Sequence, residues 1–536
     1  MNKAVLALII MAVAILLSAC YPLATGSGKW QIRWDKEGIA RKEAFLQNCE
    51  REVSDPPNIV LILADDLGKY EVSAYGAEHI QTPHIDQIGQ EGVIFTEGYV
   101  SAAVCSPSRA GIMTGRYQQR FGFETNVMEF YPTNLIEYLT GKYIVNTDSW
   151  VIKSKPQFPR EWQVAKQGIP PDEVTMAEFF KGYGYQTGIV GKWHLGHHKK
   201  NRPENRGFDY QYGFNGAYSL YTPEQLTPGY VFHIQETFSS RHQWESGRST
   251  EGAIYLNGEK IVEEDYLTFA IKDRAIEFME RNRDNPFFLY LPFSAPHVPF
   301  QAPVDYYCKY SHIEDDNKRV YYAMISALDD AVGEIHQAIK DLGLEENTII
   351  YFLSDNGGAS YLDATDNGPL KGGKLTPFEG GVNVPFMMKW KSMIPAGTVY
   401  DQPVLSLDIF TTAAAAGHFP LPEDRVYDGV NLLPYLSGEK TAAPHPVIFW
   451  KADHMKAVRS GDWKMLMSDR DAWQHLYDLQ TDKSEEVDLG PECNEVFREL
   501  FEEHQHWQQT LPEKPLWPHF MDKRFIINGQ EYLFPA

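Results

Sequence analysis

With 536 residues, the chain is long enough for one large core with a smaller unit attached. Its 43% hydrophobic and 23% charged residues are those of a globular protein and exclude bulk disorder. A net charge of −23 excludes a general nucleic-acid binder, since no basic excess can neutralise phosphates; an anionic substrate would have to meet a local cluster of Lys, Arg and His.

The chain opens with Asn2-Lys3, an apolar run over residues 4–17, and Leu17-Ser18-Ala19-Cys20. The run is short for a membrane span and suits the apolar region of an export signal. Its last four residues resemble a bacterial lipoprotein box, which implies that Cys20 is lipidated and that residues 1–20 are a signal peptide. The expected location is the periplasm or cell surface, with a lipid anchor in the outer membrane. A soluble secreted protein with a chance cysteine is the alternative. No other stretch reads as membrane-spanning. Residues 21–55 are polar and mixed, a tether or an N-terminal wrap.

From residue 56 to about 440 a single pattern repeats. Residues 58–64 form a continuous run, apolar from Ile59 onward, that ends in Asp65-Asp66. Such a run reads as a strand buried on both faces, with acids at its tip. Residues 186–191 run into Lys192-Trp193-His194, residues 286–291 into Ala295-Pro296-His297, and residues 348–353 into Ser354-Asp355-Asn356-Gly357. Between them, Leu267, Ile271, Ala275 and Phe278 share one helical face behind an Asp265 cap, and Met324, Leu328, Val332, Ile335 and Ile339 share another within residues 320–342. Strands alternating with helices predict an α/β fold with a large, mostly parallel sheet between helices. Ligands of such sheets lie beyond the carboxyl ends of the strands, where all four runs carry polar or ionisable groups.

Residues 441–536 differ. Short strand-like pieces at 447–450, 455–459, 463–467 and 474–478, then a helical pattern at 494–508, predict a small antiparallel sheet with a helix. Residues 116–170 and 205–260 are aromatic and aperiodic, and read as long loops over the site.

The most specific string is Cys105-Ser106-Pro107-Ser108-Arg109, followed by residues 110–116 with Thr114-Gly115-Arg116. Pro107 suits a helix start, and residues 108–116 could continue the helix. Cys105 would then sit at a helix N-terminus that favours an anion, with Arg109 one turn on. A lone cysteine is more often a small buried hydrophobe. The string, however, resembles the C-x-P-x-R signature of type I sulfatases, members of the alkaline-phosphatase-like superfamily, in which a maturation enzyme oxidises the cysteine to formylglycine (3-oxoalanine).

The resemblance extends over separated motifs from 56 to 400 and implies a site. Asp65, Asp66, Asp355 and Asn356, with an oxygen of the modified Cys105, would hold one metal ion, an all-oxygen set that favours Ca²⁺ over Mg²⁺. Each acid alone could equally be a cap or turn residue. Lys192 and His194, His297, and Lys374 near Glu379-Gly380-Gly381 would complete the pocket, with Lys371 the competing lysine. In the family's chemistry the hydrated aldehyde attacks sulfur, forming a covalent sulfo-enzyme intermediate. Arg109, Lys192 and Lys374 stabilise oxygens; His297, with Lys374, protonates the leaving alcohol; His194 deprotonates the second hydroxyl. The five cysteines, Cys20, Cys49, Cys105, Cys308 and Cys493, lie far apart. With Cys20 lipidated and Cys105 modified, at most one disulfide remains possible.

The substrate implied is a sulfated carbohydrate, with a marine galactan such as carrageenan first and a glycosaminoglycan second. Tyr and Trp residues between 210 and 245 could stack on sugars or simply pack the loop, and His454 and Arg459 could reach the pocket. The competing functions are a phosphonate monoester hydrolase or phosphodiesterase of the same superfamily, and a non-catalytic glycan-binding lipoprotein. A two-zinc phosphatase fits poorly, because Gly357-Gly358 follow Asp355-Asn356 where histidine ligands would be wanted.

Overall fold

The structure, a computed structural model, describes residues 30–50, 55–128, 131–145, 149–152, 157–233, 247–249, 252–365, 367–490 and 495–536. Cys20, with the signal segment, and Cys493 lie outside them. The main sheet comprises β1 (Asn58–Ala64), β2 (Val93–Phe95), β3 (Gln186–Lys192), β4 (Tyr210–Phe214), β5 (Ile254–Leu256), β6 (Glu259–Ile261), β7 (Phe287–Pro292), β8 (Thr348–Ser354), β9 (Phe386–Lys389) and β10 (Thr398–Tyr400). These ten strands lie in the order β10-β2-β9-β8-β1-β7-β3-β4-β5-β6.

The centre, from β8 to β4, is wholly parallel, as expected. The flanks are not: β9 runs antiparallel to both neighbours, and β5 and β6 add antiparallel pairs, so the sheet is mixed. All seven residues of β1 are buried because both faces are covered. Ile59, Leu61 and Leu63 point into one core with Ile112 and Met113 of helix α2 (Cys105–Thr114). Val60 and Ile62 point into the other, with the apolar faces of α3 (Leu267–Asn282) and α4 (Asp316–Asp341).

Both long helices begin differently from the expectation. Helix α3 starts at Leu267 behind Tyr266, and Asp265 caps nothing there; its own N–H donates to Glu263 Oε1 at 3.0 Å. Helix α4 starts four residues before Val320, because Asp315 accepts the Lys318 N–H at 3.0 Å and fixes an earlier first turn. Of the N-terminal residues 21–55, the described ones include α1 (Lys36–Gln47), which packs on the body, and Trp30 and Ile32, which join the core.

The aperiodic 205–260 region supplies β4, β5 and β6 rather than loops alone. Its strand reads Tyr210-Gln211-Tyr212-Gly213-Phe214, and Gly213 lies so close to β3 that a Cβ would sit 2.0 Å from the Gly191 carbonyl. Neither the glutamine nor the glycine announces a buried strand. Tyr212 and Tyr221 from this region are interior packing residues.

In the C-terminal region, β11 (Val447–Ala452), β12 (Met455–Ser460), β13 (Trp463–Ser468) and β14 (Gln474–Asp478) form the expected antiparallel sheet, packed by α5 (Glu495–Gln508). An unexpected three-stranded sheet joins Trp150–Val151 to Asp522–Ile527 and Gln530–Pro535. Cys49, Cys105 and Cys308 are free thiols. Among the described residues, no helix is long and apolar enough to cross a membrane.

Candidate active site

The register of the central strands builds the site. Ala64 pairs with Ser354 and Leu63 with Pro292, so Asp65-Asp66 and Asp355-Asn356 emerge side by side at the carboxyl edge of the sheet. Asp66 adopts a left-handed φ of 64°, which turns the chain sharply after the strand. Its N–H donates to Asp355 Oδ1 at 3.2 Å, and the Leu67 N–H to Ser354 Oγ at 2.9 Å, locking the two tips together. Gly357 is required beside them: a Cβ there would lie 1.7 Å from the Gly380 carbonyl oxygen.

Cys105 is the first residue of α2, following Val104, which caps the helix with no side-chain bond. The helix ends at Thr114, where Gly115 takes a left-handed φ of 64°, so Arg116 lies beyond it. Cys105 Sγ lies 3.4 Å from Asp65 Oδ1 and 3.6 Å from Asp66 Oδ1. Ser106 Oγ donates to the His194 carbonyl at 2.7 Å and thereby fastens the signature helix to the segment after β3.

Three cations face three carboxylates, all buried. Lys192 Nζ lies 2.6 Å from Asp65 Oδ2, and Lys374 Nζ 2.8 Å from Asp66 Oδ2. Arg109 Nε lies 2.8 Å from Asp355 Oδ2 and its Nη2 3.2 Å from Asp65 Oδ1, while Nη1 donates to the Lys192 carbonyl at 3.2 Å. Burial alone would raise Asp65, but Lys192, His297 and Arg109 outweigh it and hold the carboxyl well below its usual range. Asp66 is likewise lowered against burial, chiefly by Lys374 and His297. Asp355 goes the other way: burial pushes it up to about 6, in spite of Arg109.

The Cys105 thiol is pushed well above its ordinary value by burial and then by Asp355, so it is held as an unreactive S–H. His297 Nδ1 bonds the Val298 carbonyl at 2.7 Å, which leaves Nε2 facing Asp66 Oδ2 at 3.5 Å. Burial, and then Lys374, push His297 down to about 4. His194, at a left-handed φ of 55°, is buried with neither ring nitrogen hydrogen-bonded; burial, Lys192 and Arg109 hold it well below 6.5.

A hard cation fits this set. Asp65, Asp66, Cys105 and His297 each bring a ligand atom within 4.8 Å of the others. Asn356 donates its amide to Asp66 Oδ1 at 2.8 Å and leaves Oδ1 buried with no hydrogen-bond partner. Oxygens of Asp65, Asp66, Asp355 and Asn356 match what calcium or magnesium requires. His297 belongs to this group by distance, and the Asp355 carboxylate, which accepts from Arg109 Nε and the Asp66 N–H, lies beside it.

Every residue expected at the pocket is therefore brought together: Cys105, Arg109, Lys192, His194, His297, Lys374, Asp65, Asp66, Asp355 and Asn356. Lys371 is elsewhere, donating to Tyr477 Oη and the Glu485 carbonyl at 3.0 Å each. His454 and Arg459 do not supply the pocket's charges. His454 bonds Ser468 Oγ at 2.9 Å, and Arg459 pairs with Glu97 at 2.8 Å, because both lie at the joint with the C-terminal sheet. Sequence reasoning missed Tyr221, whose hydroxyl donates to the Ser294 and His297 carbonyls at 2.6 and 2.8 Å and so fixes the His297 turn. It also missed Tyr321, which donates to the Asp66 carbonyl at 3.2 Å. Neither tyrosine has a local motif; Ser106 could have been found, since it lies inside the signature.

The family model described as Sulfatase matches residues 57–418. N-acetylgalactosamine-6-sulfatase of Canis lupus familiaris is 33% identical over 418 residues, covering 76% of this chain and 71% of that protein. Steryl-sulfatase of Homo sapiens is 30% identical, covering 77% of this chain and 76% of that protein. Among solved structures, Ps i-CgsB in complex with k-i-k-neocarrahexaose superposes with a TM-score of 0.71 at 29% identity, over 86% of this chain and 94% of that one. With its fold, its matched span and these relatives, this chain belongs to the sulfatase family and is a sulfatase.

Proposed function

We propose that this enzyme removes sulfate from a sulfated carbohydrate, with Cys105 converted to formylglycine by a maturation enzyme and one calcium ion held by Asp65, Asp66, Asp355 and Asn356. The observation that carries the reading is Cys105 itself: a thiol kept protonated by burial, on a helix N-terminus, between carboxylates and cations. A cysteine so placed is a poor nucleophile as it stands. Its oxidised, hydrated form would supply the attacking hydroxyl, and the metal would polarise a sulfate oxygen.

The chain's own groups have separable tasks. Arg109 is locked by two carboxylates and a carbonyl, so it fixes Asp65 and Asp355 relative to Cys105. Lys192 and Lys374 offer fixed positive charge to sulfate oxygens in a site where it is little screened. His297 presents only Nε2 to the cluster, so the proton for the leaving alcohol is carried there. Its low value in the free enzyme rises when the dianionic transition state arrives. His194, neutral and with both nitrogens free of partners, is the base for the second hydroxyl.

The likeness to a structure holding k-i-k-neocarrahexaose supports a sulfated galactan such as a carrageenan. The name of the mammalian N-acetylgalactosamine-6-sulfatase supports a glycosaminoglycan as the second choice. Export as a lipoprotein anchored at Cys20, with the catalytic unit over 56–440 and a C-terminal unit over 441–536, is part of the same proposal. The test is sulfate release from a panel of sulfated galactans and glycosaminoglycans, by enzyme co-produced with a maturation enzyme, with and without calcium chelation. Release that needs calcium and is lost in Cys105→Ala is expected. Turnover of phosphonate monoesters or phosphodiesters in preference to every sulfate ester would overturn the proposal.

A further inference from the structure

The unexpected three-stranded sheet sets Lys523 opposite Trp150 in register. Lys523 is only 6% exposed. Its Nζ lies 4.6 Å from the Trp150 ring centroid and 4.7 Å from that of Tyr361. Among the described residues no carboxylate pairs with it, and burial alone pulls it down to about 8. The other buried lysines are hydrogen-bonded: Lys69, without a carboxylate, donates to the Thr96 carbonyl at 2.6 Å and to Asn383 Oδ1 at 2.9 Å. Lys42, Lys192, Lys374, Lys389, Lys456 and Lys464 each meet a carboxylate at 2.8 Å or less. Acids are not scarce in a chain with 72 of them, so the bare ammonium is a feature of the place. Ring faces attract a cation but accept none of its N–H bonds in full, and Nζ is not among the fully buried atoms that lack a partner, so the ammonium keeps contact with solvent and can receive an anion from it.

The place adjoins the catalytic cluster. Tyr361 lies on the turn Ser360–Leu362, inside the segment that begins with Asp355-Asn356 and ends with Lys374. The charges that act on its phenol are those of Lys374, Asp66, Cys105 and Asp65. Tyr361 thus faces Lys523 while lying within the field of the catalytic charges, and Tyr361 and Trp150 are both half-buried, leaving apolar surface for a sugar.

We propose that Lys523, held between Trp150 and Tyr361, is a second anion subsite, receiving a carboxylate or sulfate on the sugar beside the one that loses its sulfate. The proposal rests on the carbohydrate reading above and narrows it. The substrate is a glycan with at least two anionic groups near each other, and Lys523 sets the preference for the second. Trp150 and Tyr361 limit where the ammonium can point, which makes the subsite selective for position as well as charge.

The test compares kcat/KM for three matched oligosaccharides: one with a single sulfate, one with a second sulfate on the adjacent unit, and one with a carboxylate there. Lys523→Met is expected to lower kcat/KM for a doubly charged substrate about tenfold to a hundredfold relative to the singly sulfated one, the loss of one charge-assisted hydrogen bond. The substrate most affected tells sulfate from carboxylate. Lys523→Arg should restore part of the preference, and the surface variant Lys391→Met should leave the ratios unchanged. Thermal melting of each variant reports folding. Proportional losses on all three substrates in Lys523→Met, or unaltered ratios, would overturn the subsite. Failure of the parent enzyme to release sulfate from any of the three would overturn the carbohydrate reading and the subsite with it.

Discussion

Two of the clusters of buried charge among the described residues are finished differently. At the joint between the main body and the C-terminal sheet, Lys464 Nζ lies 2.7 Å from Glu379 and 3.0 Å from Glu485. Glu379 also accepts from Tyr99 at 2.7 Å and Asn383 at 3.0 Å, and Glu485 accepts the Glu379 N–H at 2.7 Å. Glu97 takes Arg459 at 2.8 Å and Lys483 at 2.7 Å. The catalytic cluster has the same kinds of groups, yet Asn356 Oδ1, Ser108 Oγ and both nitrogens of His194 are buried without a hydrogen-bond partner. At the joint only Glu485 Oε1 lacks a hydrogen bond, and Lys464 Nζ lies 3.0 Å from it; so nearly closed a network fastens two layers together, whereas an open one is shaped for something it has still to bind.

The difference predicts that variants at the catalytic cluster cost activity and variants at the joint cost stability. Cys105→Ala should lower sulfate release by roughly 10⁴-fold or more, the scale of removing a nucleophile, with a melting temperature near the parent's. His297→Gln should lower kcat by about 10²- to 10⁴-fold for alkyl sulfates and by less for aryl sulfates, whose leaving groups need less protonation. A leaving-group-independent loss would remove His297 from that role.

At the joint, Glu379→Gln leaves Lys464 short of one buried counter-charge and should destabilise the fold by about 3–5 kcal/mol, read by denaturant titration. Sulfate release per folded molecule should hold. The smallest effect concerns Glu485, which burial pushes up to about 7 against the pull of Lys464. The folded protein keeps this proton where the unfolded chain has released it, near 4.5. The group therefore weakens the fold as pH rises from that value to about 7. Glu485→Gln should accordingly gain in melting temperature over the parent between pH 5 and 8, and a flat difference would contradict the sign.

Most of the catalytic cluster is legible in the sequence because its residues follow apolar strands or lie inside one dense signature, whereas Lys374, on the loop between β8 and β9, is chosen over Lys371 by family resemblance. Asp65, Asp66, Asp355 and Asn356 close runs whose burial is obvious, and Cys105 and Arg109 are one helical turn apart. The joint was not legible. Glu97, Glu379, Arg459, Lys464 and Glu485 are ordinary surface-type residues, and only the docking of the C-terminal sheet buries them. The same holds for Lys523 and Trp150, which meet across more than 370 residues of chain on a sheet with no periodic signal. The strand Tyr210–Phe214 was missed because glycine and glutamine interrupt its apolar pattern, although close approach to β3 explains the glycine.

The most direct test of the central claim measures formylglycine at position 105 by peptide mass spectrometry alongside sulfate release, across preparations made with graded amounts of maturation enzyme. The account predicts a rate proportional to the converted fraction, passing through zero for unconverted cysteine. Turnover by protein that retains the thiol, or none by fully converted protein supplied with calcium and sulfated glycans, would contradict it.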